Sequence, residues 1–412
     1  MSPAAVNDAR VAAGYAIFLA SYLVFAIGKF PGTKIDRAGA AIVGAVLMVA
    51  LGVVTPHDAL TAVDFSTIVL LFSMMVIVAY LHQAGFFDWI TELVVTRLKP
   101  HHLLPTVIFT SGVLSAFFVN DIICLVMVPF VLDATRRMGV KPLPYLLAVA
   151  TASNIGSVAT ITGNPQNMLI GSFSGIAYRD FLLHLGPIAL VGLLLDWLLI
   201  HLLCARVGTR DPVTDLPDPV EAVDRSRLVK PGIVILMVIT GFLAGLPPAL
   251  VAAFGAAMML ITRTREPRLV YDEVDWGLLV FFVGLFVIVG GAEKAGVTER
   301  LLAFANSWNL HHPAAFTVVV AALSNVVSNV PAVMLLKSLV PGFANPHGGW
   351  LVLAMASTLA GNLTITGSVA NIIVVERSKH VAPISFREYF AVGLPITVAT
   401  LLFGFVWLWL TS

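Results

Sequence analysis

Polar side chains interrupt this otherwise apolar sequence at four places, and these are the residues that could do chemistry. Two interruptions are short, Asn120-Asp121 and Ser328-Asn329. Two are longer, residues 153–167 (SNIGSVATITGNPQN) and 361–371 (GNLTITGSVAN). Polar groups are costly in hydrocarbon, and unwound backbone is tolerated there only where it is buried in protein or lines a cavity. The four places therefore predict one buried site for a neutral or anionic ligand.

The predicted ligand shell consists of the amides, hydroxyls and carboxyl of these interruptions. Its members are Asn120, Asp121, Asn154, Thr160, Thr162, Asn164, Ser328, Asn329, Thr364, Thr366 and Ser368. The alternative interpretation is that small polar residues only satisfy helix ends or join neighbouring helices. Because the pattern recurs in both halves of the chain, we favour a site.

Asp121 is the acid at one short interruption, and Val330 occupies the equivalent position in the second half. Loss of water favours the neutral form of a buried carboxyl, so Asp121 is suited to bind and release a proton near physiological pH. We predict that it carries a coupled proton; the alternative is a fixed anion that caps a helix. A second acid, Asp196, lies in the apolar run LLLDWLL, where a bond to a neighbouring helix explains it as well as function does.

The elements that position these residues follow from the composition. The chain has 412 residues, of which 58% are hydrophobic and 11% charged, and its mean hydropathy is +0.94. Its solvent is therefore the lipid bilayer, whose core about 30 Å thick needs roughly 20 apolar residues per helix. A net charge of +1 gives no reason to expect nucleic acid. Because Cys124 and Cys204 both lie in apolar stretches, we predict no disulfide framework, metal centre or cofactor.

About ten apolar stretches are predicted to cross the membrane as helices. They are residues 11–29, 37–54, 65–83, 144–172, 181–206, 230–246, 248–263, 275–293, 350–376 and 388–410. Of these, 144–172 and 350–376 are interrupted by Gly or Pro and are predicted to be broken helices. Two further stretches, 103–136 and 313–341, are each predicted to be a re-entrant helical hairpin. The first would be about 50 Å long as one helix, which is too long for a single crossing.

The distribution of basic residues supports this arrangement. If both hairpins return to the side that they entered, most of the 24 Lys and Arg residues fall in loops on one side. Positive charge marks the cytoplasmic side of a membrane protein. The sequence therefore predicts a multi-pass protein of the inner (plasma) membrane with both termini outside.

The chain contains the same unit twice. VDFSTIVLLF at Val63 recurs as VDWGLLVFFV at Val274, and TITG occurs at Thr160 and at Thr364. Each copy holds an odd number of crossings, so the second must be inserted upside down, as in the inverted repeats of secondary carriers. We predict an all-α polytopic membrane protein of two inverted five-helix repeats. Its parts are the first repeat 1–207, a cytoplasmic linker 208–229 and the second repeat 230–412.

Two motifs resemble a known family. VATITGNPQNMLIGS from Val158 and SNVVSNVPAV from Ser324 are similar to the ion transporter superfamily, in its branch of arsenite efflux permeases and sodium/proton antiporters. GNPQN also resembles silicon efflux transporters, and the resemblance covers essentially the whole chain. In sodium-coupled dicarboxylate relatives the hairpin tips read Ser-Asn-Thr. Here the tips keep Asn120 and Asn329 but lack the Thr, which favours protons over sodium as the coupled ion.

The resemblance implies a secondary transporter that exports arsenite or antimonite from the cytoplasm by proton antiport. These trivalent metalloids are largely uncharged trihydroxides at neutral pH, which suits amide and hydroxyl ligands better than a thiolate trap. Sodium/proton exchange, transport of a carboxylate or other anion, and silicic acid efflux are the alternatives within the superfamily. The sequence leaves open whether a soluble ATPase docks on the basic cytoplasmic loops.

An enzyme is the alternative from another class, because membrane-embedded proteases also bury Asp, Ser or His. The sequence contains no HExxH or GxSxG motif, and no second hairpin acid pairs with Asp121. We therefore predict a transporter rather than an enzyme. A passive channel has the same composition, and a response of flux to a proton gradient separates it from a carrier.

Overall fold

The computed structural model of the protein describes residues 3–30, 32–87, 89–90, 92, 100–204, 226–261 and 266–411. Over these residues the chain is helical, with no named β-strand. The predicted all-α fold is therefore confirmed. The boundary predicted at residue 207 and most of the predicted linker fall outside the described residues, so the limits of the repeats stay a prediction.

The helices are numbered in chain order. Those of the first half are α1 (Pro3–Ile27), α2 (Arg37–Ala50), α3 (Pro56–Ala62), α4 (Phe65–Gln83), α5 (Pro100–Phe117), α6 (Asn120–Arg137), α7 (Leu143–Ser157), α8 (Pro165–Ser174) and α9 (Tyr178–Cys204). Those of the second half are α10 (Ser226–Leu243), α11 (Pro248–Leu260), α12 (Pro267–Asp272), α13 (Trp276–Lys294), α14 (Val297–Ser307), α15 (Pro313–Val327), α16 (Asn329–Leu336), α17 (Pro346–Ala360), α18 (Val369–Ser378) and α19 (Phe386–Thr411). A 3-10 helix, Lys337–Gly342, continues α16.

Six of the described helices, α1, α4, α9, α10, α13 and α19, are long and apolar enough to cross a membrane. The reason is a run of about 20 apolar residues in each, the length that the hydrocarbon core demands. Helices α2, α11 and α15 are shorter apolar helices. Each predicted crossing corresponds to one helix or to the two halves of a broken helix, α7–α8 or α17–α18. The hairpins are α5–α6 and α15–α16, so the predicted set of elements agrees with the structure.

Helices of one half of the chain pack on helices of the other half. Helix α2 of the first half packs on α13 of the second, and α11 of the second packs on α4 of the first. Helices α2 and α11 are equivalent in the two repeats, as are α4 and α13, so the two packed pairs are equivalent to each other. Helix α5 packs on α7 as α15 packs on α17, and α9 packs on α19. Two repeats related by a pseudo-twofold axis produce this packing.

These contacts divide the main helices into two groups. We call α1, α2, α4, α10, α11 and α13 the frame, because they pack chiefly on one another. Helices α5–α9 and α15–α19 form the hairpin group, which contains both hairpins and both broken helices. The candidate site lies between the hairpin group, which supplies both tips, and the frame.

Two glycines allow helix backbones to touch. In the hairpin group, a Cβ atom on Gly156 would lie 2.0 Å from the carbonyl oxygen of Gly112. In the frame, a Cβ atom on Gly284 would lie 2.6 Å from the carbonyl oxygen of Ala41. No other residue fits at these distances, so glycine sets the α5–α7 and α2–α13 contacts. Small residues at such interfaces are typical of membrane helices, whose association depends on close packing.

The short helix α3 lies where the sequence predicts only a connection. It begins with a capping box, in which the hydroxyl of Thr55 accepts from the Asp58 N–H (3.1 Å) and Asp58 Oδ2 accepts from the Thr55 N–H (3.0 Å). Lys294 Nζ, at the end of α13, lies 2.5 Å from Asp58 Oδ2. The hydrogen bonds from Lys294 and Thr55 hold the pKa of Asp58 well below its usual range. Helices α3 and α12 have only seven and six residues, and α14 has 11 residues with several polar ones among them, so none of the three meets the length and apolarity expected of a crossing.

Candidate functional site

Both broken helices are interrupted at equivalent places. Residues 158–164 separate α7 from α8, and residues 361–368 separate α17 from α18. Asn164 begins α8, because its Oδ1 accepts a hydrogen bond from the backbone N–H of Asn167 (2.8 Å). Pro165 occupies the first turn of α8, where the helix needs no N–H donor. The sequence therefore stops and restarts the helix locally.

One asparagine in each repeat holds the unwound backbone. Asn167 Nδ2 donates to the carbonyl oxygen of Thr160 (3.0 Å), and Asn371 Nδ2 donates to the carbonyl oxygen of Thr364 (3.0 Å). Both asparagines are buried. Their amides satisfy carbonyl groups that have lost helical partners, which allows these segments to lie inside the protein.

Asn154 makes four hydrogen bonds, three of which join it to the second repeat. Its Oδ1 accepts from Asn120 Nδ2 (3.0 Å) and from Ser368 Oγ (2.9 Å). Its Nδ2 donates to Asn362 Oδ1 (2.9 Å) and to Asn371 Oδ1 (2.9 Å). Asn154 is buried, so each of these bonds replaces one that water would otherwise make. This residue is the centre of the polar network.

Thr358 occupies the position in the second repeat that Asn154 occupies in the first. Its hydroxyl oxygen accepts from Asn164 Nδ2 (3.2 Å) and from Gln166 Nε2 (3.1 Å). The contact between Asn154 and Ser368 thus has an equivalent contact between Thr358 and Asn164. The two repeats are joined by matching bonds in both directions.

The two hairpin tips are bonded to the breaks of the broken helices. The backbone N–H of Asn120 donates to the carbonyl oxygen of Gly163 (3.0 Å). The Asn329 side chain, with its amide nitrogen turned toward the backbone, lies 3.0 Å from the carbonyl oxygen of Ser357 and 3.3 Å from that of Gly367. Each tip is therefore held by an asparagine, as the repeated Asn in the two hairpins suggests.

Ser328 at the second tip has a backbone conformation that favours glycine. Its φ is 75° and its ψ is 159°, whereas Val119 at the first tip has φ −56°. A non-glycine residue in this region costs about 1–3 kcal/mol and persists only where its surroundings enforce it. The second tip is thus strained and the first is not.

Ser328→Gly is expected to raise the stability of this conformation by about 1 kcal/mol, because glycine adopts the same φ and ψ without strain. Thermal unfolding of the purified protein in detergent measures the effect. Val119→Gly is the comparison variant, since its φ of −56° is already allowed, so glycine relieves no strain there; it also removes a buried side chain and should lower the unfolding temperature. A Ser328→Gly protein that unfolds at or below the wild-type temperature would contradict the assignment of strain.

The tips and breaks border a cavity of about 540 Å³. Six predicted ligand residues line its wall: Asn120, Asp121, Ser328, Asn329, Thr366 and Ser368. From the tips the cavity passes Gln166 in the first turn of α8 and reaches the loop between α1 and α2 and the start of α13. Small-molecule sites have volumes of about 300–1,000 Å³, so the cavity is large enough for a ligand with its water.

The other five predicted ligand residues do not line this cavity. They are Asn154, Thr160, Thr162, Asn164 and Thr364. Their polar groups bond to the protein instead: Thr160 to the carbonyl oxygen of Ala116, and Thr162 to the hydroxyl of Tyr178 (2.9 Å). In this conformation they lie behind the residues that line the cavity. Their direct role in ligand binding stays a prediction.

Asp121 lies at the junction of a hairpin tip and a helix end. It is partly exposed to the cavity, and the backbone N–H of Ala370, in the first turn of α18, donates to its carboxyl. The amino end of a helix carries partial positive charge, which stabilises an anion there. Asp275 acts in the opposite direction by electrostatic repulsion. The surroundings of Asp121 thus contain groups that favour each of its charge states.

The cavity wall is acidic overall. Besides Asp121 it contains Asp36, Asp275 and Arg37. Asp36 Oδ1 caps α2 by accepting from the Gly39 N–H (2.8 Å), and Asp275 Oδ1 caps α13 in the same way. These two carboxyls therefore serve helix ends as well as the cavity mouth. Neither carboxyl belongs to the predicted ligand shell, although each lies at the start of a predicted crossing, which is a sequence signal that could have identified it.

Gln166 was also absent from the predicted shell. It is buried, lines the cavity and donates to Thr358. Its place in the GNPQN motif, two residues after the selected Asn164, was a sequence signal that could have identified it.

Along the second hairpin, the hairpin group contacts the frame directly. Lys337, at the end of the second hairpin, lies over the ring of Phe173 (4.3 Å to its centroid) and 3.4 Å from Glu293 Oε1 of α13. The hydroxyl of Tyr22 in α1 donates to the carbonyl oxygen of Pro331 (3.0 Å). These contacts join the second hairpin to the frame, next to the cavity at Pro331.

Lys337→Gln is expected to weaken the contact between the second hairpin and α13. Removing the ion pair, whose free energy is about 0.5–1 kcal/mol, should raise the population of open states about two- to fivefold. A cysteine at the buried Met334, in a protein with Cys124 and Cys204 replaced, reports the opening by its rate of reaction with a membrane-impermeant maleimide. Lys379→Gln is the control, because it removes an exposed pair with Glu376 (2.6 Å) away from this contact. Equal labelling rates in both variants would show that Lys337 does not hold the second hairpin against α13.

The part of the chain that the structure describes contains no group of three or more His, Cys, Asp or Glu residues placed to hold a metal ion. Cys124 and Cys204 are free. The polar chemistry of the cavity therefore rests on amide, hydroxyl, carboxyl and guanidinium groups.

Two hairpins whose tips meet two broken helices at a cavity, within a bundle of apolar helices, define a membrane transporter. The chain belongs to the citrate transporter family (CitMHS), whose model matches residues 22–360. This match confirms the superfamily that the two sequence motifs suggested.

Several relatives that are named as transporters match this chain over nearly their whole length. An uncharacterized transporter of Mycobacterium tuberculosis is 31% identical, with 96% of this chain and 97% of that protein covered. A silicon efflux transporter of Oryza sativa subsp. japonica is 28% identical, with 96% and 97% covered. A putative transporter arsB of Dictyostelium discoideum is 25% identical, with 94% and 90% covered.

A solved structure has the same fold. The crystal structure of the YdaH transporter of Alcanivorax borkumensis, described as having an unusual topology, matches with a TM-score of 0.57 over 98% of this chain and 97% of that chain. The two sequences are 15% identical, so the likeness concerns the fold alone.

Proposed function

We propose that this transporter exports an uncharged metalloid hydroxide, with arsenite or antimonite as first candidates, across the plasma membrane in exchange for protons. The observation that carries the proposal is the composition of the cavity wall, in which amides and hydroxyls from both tips surround the carboxyl of Asp121. A trihydroxide both donates and accepts hydrogen bonds, as these groups do. Membership in a transporter family supports transport rather than catalysis.

The charge of the cavity argues against a polycarboxylate substrate. Among the described residues of the wall, Asp36, Asp121 and Asp275 oppose the single guanidinium of Arg37. A di- or trianion would be repelled in a site of low dielectric with this balance. The silicon efflux relative supports the choice of a neutral hydroxide, and silicic acid is therefore a further member of the proposed substrate class.

Proton exchange is the proposed driving force. The cavity extends from Asp121 to Arg37, an end that the distribution of basic residues assigns to the cytoplasm. In this orientation both termini lie outside, and substrate enters the cavity from the cytoplasm. A carboxyl that releases its proton inside and takes one up outside links export of substrate to entry of protons.

Sodium/proton exchange is the second candidate, because an acidic cavity attracts cations as well as excluding anions. The absence of the Thr that sodium-coupled relatives carry at their tips argues against it.

Uptake by everted membrane vesicles tests the proposal, since export from the cytoplasm then appears as accumulation. We expect arsenite or antimonite to accumulate when the lumen is acidic, by about tenfold per pH unit for each exchanged proton. A protonophore should abolish the accumulation, and vesicles without the protein give the background. Silicic acid, citrate and sodium are measured beside the metalloids.

The outcomes separate the candidates. Accumulation of citrate without any metalloid would replace the proposed substrate class by carboxylates. Proton movement that follows added sodium, with no metalloid flux, would establish the second candidate instead. Metalloid flux that does not respond to the pH gradient would indicate a passive channel.

A further inference from the structure

A second cavity, of about 210 Å³, lies between α1 and α2 of the frame, and we call it the α1–α2 groove. It forms because α2 carries Ala40 and Gly44 there in place of larger side chains. The two helices approach closely, since a Cβ atom on Gly44 would lie 2.6 Å from the hydroxyl oxygen of Ser21. The rest of the wall along the two helices is largely aliphatic, with Ile17, Val24, Val43 and Leu47.

The α1–α2 groove opens to the surface of the frame. Val43 is 48% exposed and Leu47 41%, and Phe30 at one end is 45% exposed. None of the described wall residues is charged, and Ser21 and Thr33 contribute only hydroxyls. In a chain whose solvent is the bilayer, an open apolar surface contacts hydrocarbon. At about 30 Å³ for a group the size of water, the groove takes a segment of roughly seven methylene groups from one acyl chain.

The loop between α1 and α2 forms one end of the groove, through Phe30, Thr33 and Ile35. The N–H of Phe30 donates to the carbonyl oxygen of Ile35 (2.9 Å). The N–H of Ile35 donates to the hydroxyl of Thr33 (3.2 Å), which in turn donates to the carbonyl oxygen of Phe30 (3.1 Å). The end wall of the groove is therefore a turn with its own hydrogen bonds.

This end of the groove is basic. Lys29 directly precedes Phe30, and Lys34 directly precedes Ile35, so each lysine adjoins a wall residue. Both lysines are exposed. Asp36 is the acid of the loop, and its carboxyl caps α2. Lysines at a membrane surface attract the phosphate groups of anionic lipids. An apolar groove with a basic end thus complements both the chain and the headgroup of one such lipid.

The same loop borders the main cavity. Asp36 and Arg37 line the mouth of that cavity, whereas Phe30 and Ile35 line the groove. The backbones of Lys29 and Asp36 form an antiparallel bridge, which joins the two sides of the loop. A molecule in the groove therefore rests against the segment that forms part of the cavity mouth.

We infer that the α1–α2 groove binds a phospholipid with an anionic headgroup. One acyl chain lies between α1 and α2, and the phosphate lies against Lys29 and Lys34. The bound lipid supports the loop at the mouth of the main cavity. The proposed function enters only through the orientation of the chain, which places this lipid in the cytoplasmic leaflet.

Native mass spectrometry of the purified protein tests the headgroup, with phosphatidylglycerol and phosphatidylcholine as probes. We expect tighter binding of phosphatidylglycerol, and a loss of about tenfold or more in its affinity when Lys29→Gln and Lys34→Gln are combined. Binding of phosphatidylcholine should not change. Lys379→Gln is the matched control, because it removes an exposed charge at the end of α18. Equal affinities for the two lipids, or an equal loss in the control, would overturn the proposal.

Filling the groove tests the site of the acyl chain. Val43→Phe should weaken binding of phosphatidylglycerol severalfold, whereas Val46→Phe should not, because Val46 is 58% exposed on α2 and lies outside the groove wall. Glycerophosphoglycerol, the headgroup without its chains, should bind at least about a hundredfold more weakly than the lipid. Equal effects of the two Phe variants, or equal binding of the headgroup alone, would exclude the groove. A dimer that Val43→Phe alone converts to a monomer would show that a second copy of the chain covers the groove, and would overturn the proposal.

Amide hydrogen exchange tests the effect on the loop. Phosphatidylglycerol should slow exchange in residues 28–37 severalfold in the wild type, and not in the variant without the two lysines. Exchange that the lipid leaves unchanged in the wild type would refute the support of the loop. These measurements involve no transport, so a failure of the proposed substrate or of proton coupling would leave their outcomes unaffected.

Discussion

Asp121→Asn is expected to abolish metalloid efflux driven by a pH gradient while substrate binding persists. Asparagine keeps the size of the side chain and still accepts the hydrogen bond from the Ala370 N–H, but it cannot ionise. A group that no longer titrates cannot link proton binding to substrate movement. We expect gradient-driven flux to fall at least about tenfold, within the range of typical coupling free energies.

The measurement is metalloid flux in proteoliposomes with an imposed pH gradient, beside a binding assay for the same variant. Asp272→Asn is the matched control, because Asp272 is exposed at the end of α12 and does not line the cavity. A variant that binds substrate and exchanges it across the membrane without a gradient would identify Asp121 as the coupling group. Undiminished pH-driven flux in Asp121→Asn would remove Asp121 from the mechanism and leave Asp196 as the acid to test.

Asn154→Ala is expected to lower both stability and transport. The substitution leaves the oxygens of Asn362 and Asn371 without this donor, and the groups of Asn120 and Ser368 without this acceptor. A buried polar group that loses its partner costs about 1–3 kcal/mol. Because some of the four partners keep other bonds, we expect a loss of about 2–4 kcal/mol in the free energy of unfolding.

Thermal unfolding in detergent and efflux in vesicles measure the two effects. Asn306→Ala is the control, since Asn306 is exposed on α14 and makes no contact with the network. Transport should fall with stability, because Asn120 and Ser368 lie on the cavity wall and depend on Asn154 for their positions. A variant as stable as the wild type but unable to transport would instead place Asn154 in direct contact with substrate.

The position of Asn154 shows where sequence reasoning about the site reaches its limit. Spacing alone selected Asn154 and Asn120 as equal members of a ligand shell. The structure places Asn120 on the wall and Asn154 behind it, because Asn154 on α7 lies between the first tip and the break of the second broken helix. Which polar residue faces a cavity and which supports it depends on the rotation of each helix among several neighbours, and local sequence does not determine that rotation.

Local sequence did determine the elements. Long apolar runs produce the crossing helices, because lipid leaves no other partner for the backbone. Asn120-Asp121 and Ser328-Asn329 divide the hairpins, and the Gly- and Pro-containing stretches 158–164 and 361–368 break the helices. Each of these effects acts over a few residues, so the sequence reveals it directly. The repeat is visible for the same reason, since both copies contain the same local signals.

Tertiary structure alone decided which distant residues meet. Asp36, Arg37 and Asp275 border one cavity with Asp121 because the frame and the hairpin group pack side by side. Lys337 of the hairpin group reaches Glu293 of the frame, and Tyr22 of the first repeat reaches Pro331 of the second. Contacts between residues so far apart along the chain depend on the summed packing of many helices, whose close approach is set by glycines such as Gly156. The amino-acid sequence by itself determined the lipid-spanning elements and their breaks, and the packing of those elements decided the charge of the cavity and the neighbours of its acids.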